Sequence, residues 1–204
     1  MKKNSLLAPF SLLILALAVL ASPPSTRAFV WEDFEQSDAA WYTNKFGGSR
    51  LMEGQVSTDF ASSGKASFRG SFALPEKGGR LALTTLQGGD MTGLTAVVFD
   101  LYNSSPLDFE GFFVYKSGPD WKWHESTRFK LKPGWNKDVT IAVGQAGPVS
   151  IQAEFLDNMR ELNFVLDANQ AGEGYVYMDN LRLEGPDAAR FAAAKADEQV
   201  KGQS

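Results

Sequence analysis

The sequence of 204 residues predicts an all-β protein, an antiparallel β-sandwich. About ten short segments alternate in polarity or are rich in β-branched and aromatic residues, which is the pattern of half-buried or buried strands. Clusters of Gly, Pro, Ser and Asp separate these segments at the intervals at which tight turns join strands. Hydrophobic residues make up 44% and charged residues 22% of the chain, as in ordinary globular proteins, so extended disorder is excluded as its main state.

The predicted strands follow one another along most of the chain. They lie near 29–34, 50–57, 65–74, 80–86, 94–102, 109–116, 122–130, 138–143, 160–167 and 174–184. Turn clusters separate them, for example Ser117-Gly118-Pro119-Asp120. The segment 94–102 is almost continuously apolar, and it is therefore predicted to be a central strand that is covered on both faces.

The N-terminal segment 1–28 has the pattern of a secretory signal peptide. Lysines precede an apolar run over 6–21, and a polar, proline-containing stretch follows it. Cleavage after Ala21 or after Ala28 satisfies the preference for small residues at the cleavage site. The alternative is an uncleaved membrane anchor, but the run of about 16 residues is shorter than the ~20 that span a bilayer. The mature protein is therefore predicted to be secreted or periplasmic, with no membrane span after signal cleavage.

The rest of the chain is predicted to form one β-sandwich domain over residues 29–185. The segment 186–204 differs in composition, because it consists mainly of alanines and charged residues and has Val200 as its only β-branched residue. It is predicted to be a flexible or helical C-terminal tail.

The composition excludes several classes of function. The chain contains no cysteine, which excludes disulfides, thiolate zinc sites, iron–sulfur clusters and a cysteine nucleophile. The formal net charge is −4, so no nucleic-acid partner held by phosphate contacts is expected.

No motif with a catalytic mechanism occurs in the sequence. The chain lacks a Gly-x-Ser-x-Gly elbow, a phosphate-binding loop and a His-Glu-x-x-His site, and its single histidine, His124, excludes sites that need two imidazoles. The protein is therefore predicted not to be an enzyme. The alternative is a polysaccharide-active enzyme with a dispersed site, whose carboxylates or tyrosines come together from distant strands.

A candidate carbohydrate-binding site centres on Trp121 and Trp123, which share one face if their strand begins by residue 121. The residues that flank them and complete the candidate site are Tyr115, Asp120, His124, Glu125 and Arg128. An exposed indole packs on the apolar C–H face of a sugar ring, while charged and imidazole groups hydrogen-bond its hydroxyls. The alternative is that one or both tryptophans fill the core of the sandwich.

Other tryptophans are expected to be structural. Trp31 lies in the apolar first strand and is predicted to belong to the core. Trp135 follows Pro133-Gly134 and is predicted to be a structural plug at a turn.

Two acidic residues form a candidate metal site. Glu35 ends the first predicted strand, and Asp179 lies among apolar residues of the last one. The first and last strands of a sandwich often lie together, so the two carboxylates are able to meet there. Carboxylate oxygens together with turn carbonyls suit Ca²⁺. The alternative is a pair of ordinary surface acids.

Several short motifs follow one another along the chain in an order known from one family. They are Asp33-Phe34-Glu35 with Trp41 after it, Ser63-Gly64-Lys65-Ala66-Ser67-Phe68, Val97-Val98-Phe99-Asp100-Leu101-Tyr102, Leu131-Lys132-Pro133-Gly134-Trp135-Asn136, Arg160-Glu161-Leu162-Asn163-Phe164-Val165 and Tyr177-Met178-Asp179-Asn180-Leu181-Arg182-Leu183. This order resembles the galactose-binding-domain-like β-sandwich of many carbohydrate-binding modules, and the resemblance extends over about residues 30–184.

The resemblance implies a jelly-roll sandwich with a structural Ca²⁺. In similar modules the Glu after the first-strand Phe and the Asp of the last strand hold the ion, and these positions are Glu35 and Asp179 here. A turn carbonyl near residues 63–65 usually completes that site. No motif of the family assigns the sugar contacts, so the candidates around Trp121 and Trp123 depend on the residues of this sequence alone.

The sequence therefore predicts an exported, non-catalytic protein that recognises a poly- or oligosaccharide by aromatic stacking. The alternative is a structural or protein-binding component of the cell envelope, in which the same aromatic residues contact another envelope protein.

Overall fold

The computed structural model describes residues 27–36, 40–44, 50–75, 78–152, 154–186 and 190–191. Within these residues the named elements are strands and one 3-10 helix over Leu156–Asn158, and Arg190 and Phe191 are also helical. The strands are β1 (Arg27–Glu32), β2 (Trp41–Asn44), β3 (Arg50–Ser57), β4 (Ser67–Leu74), β5 (Gly79–Thr85), β6 (Ala96–Asn103), β7 (Phe109–Ser117), β8 (Lys122–Glu125), β9 (Phe129–Leu131), β10 (Gly134–Val143), β11 (Ser150–Ile151), β12 (Met159–Ala168) and β13 (Gly172–Gly185).

The strands form two sheets. The first sheet has the order β11-β10-β6-β13-β4-β3, and β1 also pairs with β13. The second sheet has the order β2-β5-β12-β7-β8, and β9 also pairs with β7. Neighbouring strands are antiparallel, except that β11 runs parallel to β10 over two residues. The predicted antiparallel β-sandwich is confirmed.

The core lies between the two sheets and is rich in aromatic side chains. Phe99 of β6 in the first sheet packs on Phe164 of β12 in the second, with ring centroids 4.3 Å apart. Trp31 is buried in this core, as predicted, and its ring lies 6.3 Å from that of Trp41. Because side chains alternate along each strand, every strand that contributes to the core also sends residues to the outer face of its sheet.

Two short strands, β2 and β11, were not predicted, because four and two residues are too few to show a periodic pattern. The strand predicted over 122–130 is divided into β8 and β9. Ser126 causes the break, because its hydroxyl accepts the amide of Phe113 at 2.9 Å in place of a regular ladder bond. The strand predicted over 138–143 begins earlier, at Gly134.

Both ends of the sandwich extend beyond the predicted boundaries. Strand β1 begins at Arg27, which pairs with Gly185, whereas the domain was predicted to begin at residue 29. Residues 1–26, and thus nearly all of the predicted signal peptide, lie outside the described residues. Of the predicted tail, Phe191 is fully buried in the core, and residues 187–189 and 192–204 lie outside the described part. Among the described residues, no helix has the length and apolar character needed to cross a membrane.

Candidate functional site

The two candidate tryptophans are both exposed, with 45% of Trp121 and 40% of Trp123 accessible to solvent. They do not share a strand, because β8 begins at Lys122 and Trp121 lies in the preceding turn with a positive φ of 55°. Trp123 projects from the outer face of the second sheet, where the Lys116 ammonium lies 5.6 Å from its ring centroid. Trp121 lies at the end of the sheet with the Arg160 guanidinium 5.2 Å from its ring centroid.

Tyr115 and His124 are buried, which corrects their prediction as sugar contacts at the surface. They pair across β7 and β8 and point inward, with ring centroids 4.4 Å apart. The His124 Nε2 atom lies 2.9 Å from the Ser117 hydroxyl oxygen, and the Tyr115 hydroxyl accepts the amide of Glu154 at 2.9 Å. Strand alternation explains this placement, because His124 faces opposite to its neighbours Trp123 and Glu125.

The remaining candidates lie at the surface. Glu125 shares the outer face of the second sheet with Trp123, and one of its carboxylate oxygens lies 3.4 Å from the indole nitrogen of Trp123. Arg128 follows β8, and its guanidinium lies 3.7 Å from the other Glu125 oxygen. Asp120 is exposed in the turn beside Trp121. The structure therefore brings Trp123, Glu125 and Arg128 together on one face.

An ion-pair network on the same face was not predicted from the sequence. Arg80 of β5 donates two hydrogen bonds to Asp167 of β12, at 2.6 and 2.8 Å, and Arg128 donates a third at 2.9 Å. Both guanidinium groups lie over the ring of Phe112, at 5.0 and 4.4 Å from its centroid. Burial alone would raise the pKa of Asp167, but the hydrogen bonds from Arg80 and Arg128 outweigh it and lower this pKa.

A chain of hydrogen bonds crosses the middle of the face. The Thr84 hydroxyl donates to the side-chain oxygen Oδ1 of Asn163 at 2.8 Å. The side-chain nitrogen Nδ2 of Asn163 donates to a Glu161 carboxylate oxygen at 2.9 Å. Glu161 also pairs with Lys116 at 2.7 Å, next to Trp123. Tyr42 of β2, which is exposed, pairs with Thr84 at the opposite edge of the sheet. The face thus carries an aromatic side chain at each edge, and between them lie this hydrogen-bonded chain and a buried apolar cluster of Ala82, Phe112, Val114 and Val165.

A cavity of about 670 Å³ continues this face at one end of the second sheet. Glu110, Lys130 and Asp167 belong both to its wall and to the outer face. Leu107 and Leu131 add apolar surface. The depression therefore combines charged groups with apolar surface, as sites for small polar ligands do.

Sequence reasoning missed Arg80, Asp167 and Glu161, although each alternates with core residues in its strand. Alternation predicts that these side chains point outward. It does not reveal that β5, β12, β7 and β8 are neighbours, and only this pairing joins them to Trp123 and Arg128.

The two candidate metal ligands contact one turn, which spans residues 62–66. One Asp179 oxygen accepts the Ser62 and Ser63 amides at 2.6 and 2.9 Å, and one Glu35 oxygen accepts the Lys65 and Ala66 amides at 2.7 and 2.9 Å. The backbone hydrogen bonds from Lys65 and Ala66 lower the pKa of Glu35. Among the described residues no third Asp, Glu or His joins the pair, so further oxygens for a cation have to come from carbonyls or water.

Neither a protein-family model nor a curated protein matches the sequence. Solved structures match over most of the chain. One comes from a study of promiscuous carbohydrate-binding modules of the β-sandwich superfamily, at 16% identity and a TM-score of 0.55, over 79% of this chain and 62% of that one. A family 28 module specific for non-crystalline cellulose matches at 17% identity and a TM-score of 0.55, over 79% and 97%.

A third solved structure is the family 11 module of Clostridium thermocellum in complex with a β-1,3-1,4-mixed-linked tetrasaccharide. It matches at 17% identity and a TM-score of 0.50, over 80% of this chain and 98% of that one. The chain has the β-sandwich fold of carbohydrate-binding modules. Identities of 16–17% show this module fold alone, so the ligand contacts of the present chain have to be argued from its own side chains.

Proposed function

We propose that the protein is an exported, non-catalytic carbohydrate-binding protein that recognises a poly- or oligosaccharide on the outer face of its second sheet. The observation that carries the proposal is the joint placement of the exposed Trp123 with Glu125 and Arg128 beside the Asp167 network. The module fold supports it, since the three solved structures described above are carbohydrate-binding modules.

The chemistry of this face suits a sugar chain. The indole of Trp123 offers an apolar surface for the C–H groups of a pyranose ring. Glu125 accepts hydrogen bonds from sugar hydroxyls, and Arg128 donates to them. Trp121 and Asp120 extend the site at the end of the sheet, where a longer chain would reach them.

The protonation state of the face argues against glycoside hydrolysis. A general acid in that reaction needs a raised pKa so that it is protonated at working pH. The pKa of Asp167 is lowered instead, because the hydrogen bonds from two arginines outweigh its burial. Glu161 is bound by Lys116 and Asn163, so it is committed to an ion pair and a hydrogen bond. Asp167 is therefore poorly suited to act as a general acid, which favours binding over hydrolysis at this face.

Binding is tested by titrating the purified protein with mixed-linkage β-glucan, mannan and xylan while following tryptophan fluorescence. We expect a saturable change with at least one glycan, and Trp123→Ala to weaken that affinity by about tenfold or more, as the loss of a central aromatic contact does. Glu125→Gln and Arg128→Ala should weaken it less, because each removes one rim contact.

Val30→Ala serves as the matched control, since Val30 is an exposed apolar residue on β1 of the first sheet and should leave affinity unchanged. Circular dichroism checks that each variant is folded. Failure of all three glycans to change the fluorescence would contradict the proposal for these sugars and would favour the alternative of a protein-binding envelope component.

We also propose that Glu35 and Asp179 hold a structural Ca²⁺ together with carbonyls of the 62–66 turn. The support for it is that both carboxylates contact this one turn, where a cation would share their oxygens with the backbone amides. Added calcium should then raise the thermal unfolding midpoint, and a chelator should lower it. In the variant Glu35→Gln/Asp179→Asn, which keeps the shape of both side chains, the midpoint should no longer respond. A wild-type midpoint that ignores both additions would contradict the calcium site.

A further inference from the structure

The outer face of the first sheet, opposite to the proposed site, carries five aromatic rings in contact with one another. We call them the ring cluster: Phe60, Tyr102, Trp135, Tyr175 and Tyr177. Tyr102 of β6 lies between Trp135 of β10 and Tyr177 of β13, and it pairs with both in the sheet. Successive centroids from Tyr175 through Tyr177 and Tyr102 to Trp135 are 6.2, 6.0 and 5.2 Å apart.

Three members of the ring cluster are open to solvent. Phe60 is 36%, Trp135 38% and Tyr175 42% exposed. Trp135, predicted to be a structural plug at a turn, lies instead in β10, which begins at Gly134, and its side chain points outward. The three exposed rings are joined through Tyr102 and the buried Tyr177, and aromatic side chains grouped in this way at a surface are typical of an interaction site.

Polar groups border the rings on both sides. The Arg69 guanidinium lies 5.1 Å from the Tyr175 ring centroid, and the Lys137 ammonium lies 5.2 Å from that of Trp135. Asp59 pairs with Arg69 at 3.2 Å. A second depression, of about 350 Å³, begins at Tyr175 and is lined by Ser71, Ser104 and Glu173. Hydroxyls, carboxylates and cations are therefore within reach of any ligand that lies on the rings.

We propose that the ring cluster is a second glycan-binding site, which takes a single chain of a neutral polysaccharide. Aromatic faces next to hydroxyl and charged groups match the two surfaces of a sugar ring. Two cations, Arg69 and Lys137, are balanced by two carboxylates, Asp59 and Glu173, so the border complements neither a strongly acidic nor a strongly basic ligand.

The inclination between neighbouring ring planes favours a single polysaccharide chain over a crystalline surface. Along the track from Tyr175 to Trp135, neighbouring ring planes are inclined by 51°, 60° and 57°. Inclined rings cannot lie flat on the planar surface of a crystalline polysaccharide. Tyr177 is itself buried, at 3% exposure, so the rings that contact one twisted chain are the exposed Tyr175, Phe60 and Trp135.

Two binding faces on opposite sheets make the protein bivalent. A protein with one glycan chain on each face bridges two chains, and on a surface rich in glycan the second contact gains from the high local concentration of sugar. The bridging depends on the proposed function of the second sheet, whereas binding at the ring cluster does not.

The test compares purified wild-type protein, Trp123→Ala, the double variant Trp135→Ala/Tyr175→Ala and the combined triple variant. Each is run in native gels that contain mixed-linkage β-glucan, mannan or xylan, and retardation measures affinity. We expect Trp123→Ala to keep residual retardation and the triple variant to lose it, with an affinity lower by about tenfold or more. Beads coated with the glycan that retards the wild type should aggregate when wild-type protein is added. They should not aggregate with Trp123→Ala or with Trp135→Ala/Tyr175→Ala, each of which keeps one binding face.

The variant Trp135→Phe/Tyr175→Phe is the conservative control, because it keeps the aromatic faces and should still bind and fold. A triple variant that is retarded as strongly as Trp123→Ala would overturn the second site and leave the ring cluster to a protein partner. If the double variant loses retardation while Trp123→Ala is retarded as strongly as the wild type, the ring cluster is supported. The proposed site around Trp123 is then contradicted. A wild-type protein that no glycan retards would overturn both.

Discussion

The single histidine has a structural role at the residue scale. His124 is buried on the inner face of the second sheet, packs against Tyr115 and contacts the Ser117 hydroxyl through its Nε2 atom. Burial lowers the pKa of His124, and the nearby Lys122 lowers it further, while Glu154 acts in the opposite direction. The folded protein therefore favours the neutral imidazole more strongly than the unfolded chain does.

This burial predicts a loss of stability in mild acid. In the unfolded chain His124 binds a proton at its ordinary pKa, whereas in the folded protein it resists protonation. The stabilising contribution is complete above the ordinary pKa and is lost as the pH falls towards the lowered one. We expect the urea midpoint of unfolding to decrease between about pH 7 and about pH 5, the range in which histidine is the side chain that titrates.

His124→Gln is the control for this effect. It removes the titrating group and keeps a polar side chain, so the midpoint should change less over the same pH range, even if the variant is less stable throughout. Equal pH slopes in the wild type and in His124→Gln would show that another group causes the loss.

At the scale of elements, the 62–66 turn takes part in the proposed calcium site and also lies next to the ring cluster. Asp179 of β13 and the Glu35 that follows β1 hold the backbone amides of this turn. Phe60 lies just before the turn, and its backbone carbonyl accepts a hydrogen bond from the Ser67 hydroxyl. Its ring stacks on that of Tyr102, with centroids 4.1 Å apart. The turn therefore sets the position of one ring of the ring cluster, with or without a cation.

Gly64 allows a sharp test of this turn. Its φ is +60°, and a Cβ atom would lie 2.3 Å from a Glu35 carboxylate oxygen. Gly64→Ala should therefore lower the free energy of unfolding by the backbone strain of about 1–2 kcal/mol, and in addition by the displacement of Glu35. Urea denaturation measures the sum.

Gly134 supplies a matched comparison, because its φ is +82° and nothing lies within 4 Å of the position of a Cβ atom. Gly134→Ala should cost the strain alone. If Gly64→Ala is no more destabilising than Gly134→Ala, the contact between Glu35 and the turn does not contribute to stability.

At the scale of the whole molecule, the position of the first strand bears on export. Arg27 and Ala28 pair with Gly185 and Glu184 of β13, so cleavage after Ala28 would remove two paired residues from the sandwich. We therefore expect cleavage of the predicted signal peptide after Ala21. Mass spectrometry of exported protein should show a chain that begins at Ser22, and a chain that begins at Phe29 would contradict this.

The same pairing predicts a difference between two truncated proteins. A chain that begins at Phe29 should unfold at a lower temperature than one that begins at Ser22, because it lacks the β1 hydrogen bonds of two residues, which contribute about 1 kcal/mol each. Differential scanning calorimetry of both proteins measures the difference. Equal midpoints would show that these two pairs do not stabilise the sandwich.

Part of the candidate site could be predicted from the sequence, where its members are close together in the chain. Trp123, Glu125 and Arg128 were predicted together because they are close in the chain. His124 and Tyr115 were predicted as contacts for the same reason, but alternation along β8 and β7 turns them inward. Proximity in the sequence thus shows which residues lie near one another, but it does not show which face of the sheet each side chain occupies.

The sequence by itself determined the all-β class, most of the strands and turns, and the burial of Trp31. These depend on alternation, turn chemistry and local order along the chain. Only the tertiary structure decided which strands are neighbours. It joined Arg80 to Asp167 across 87 positions of sequence, and it gathered the ring cluster from three strands and a loop. Strand pairing is set by the packing of the whole sandwich, and no local pattern in the chain encodes it.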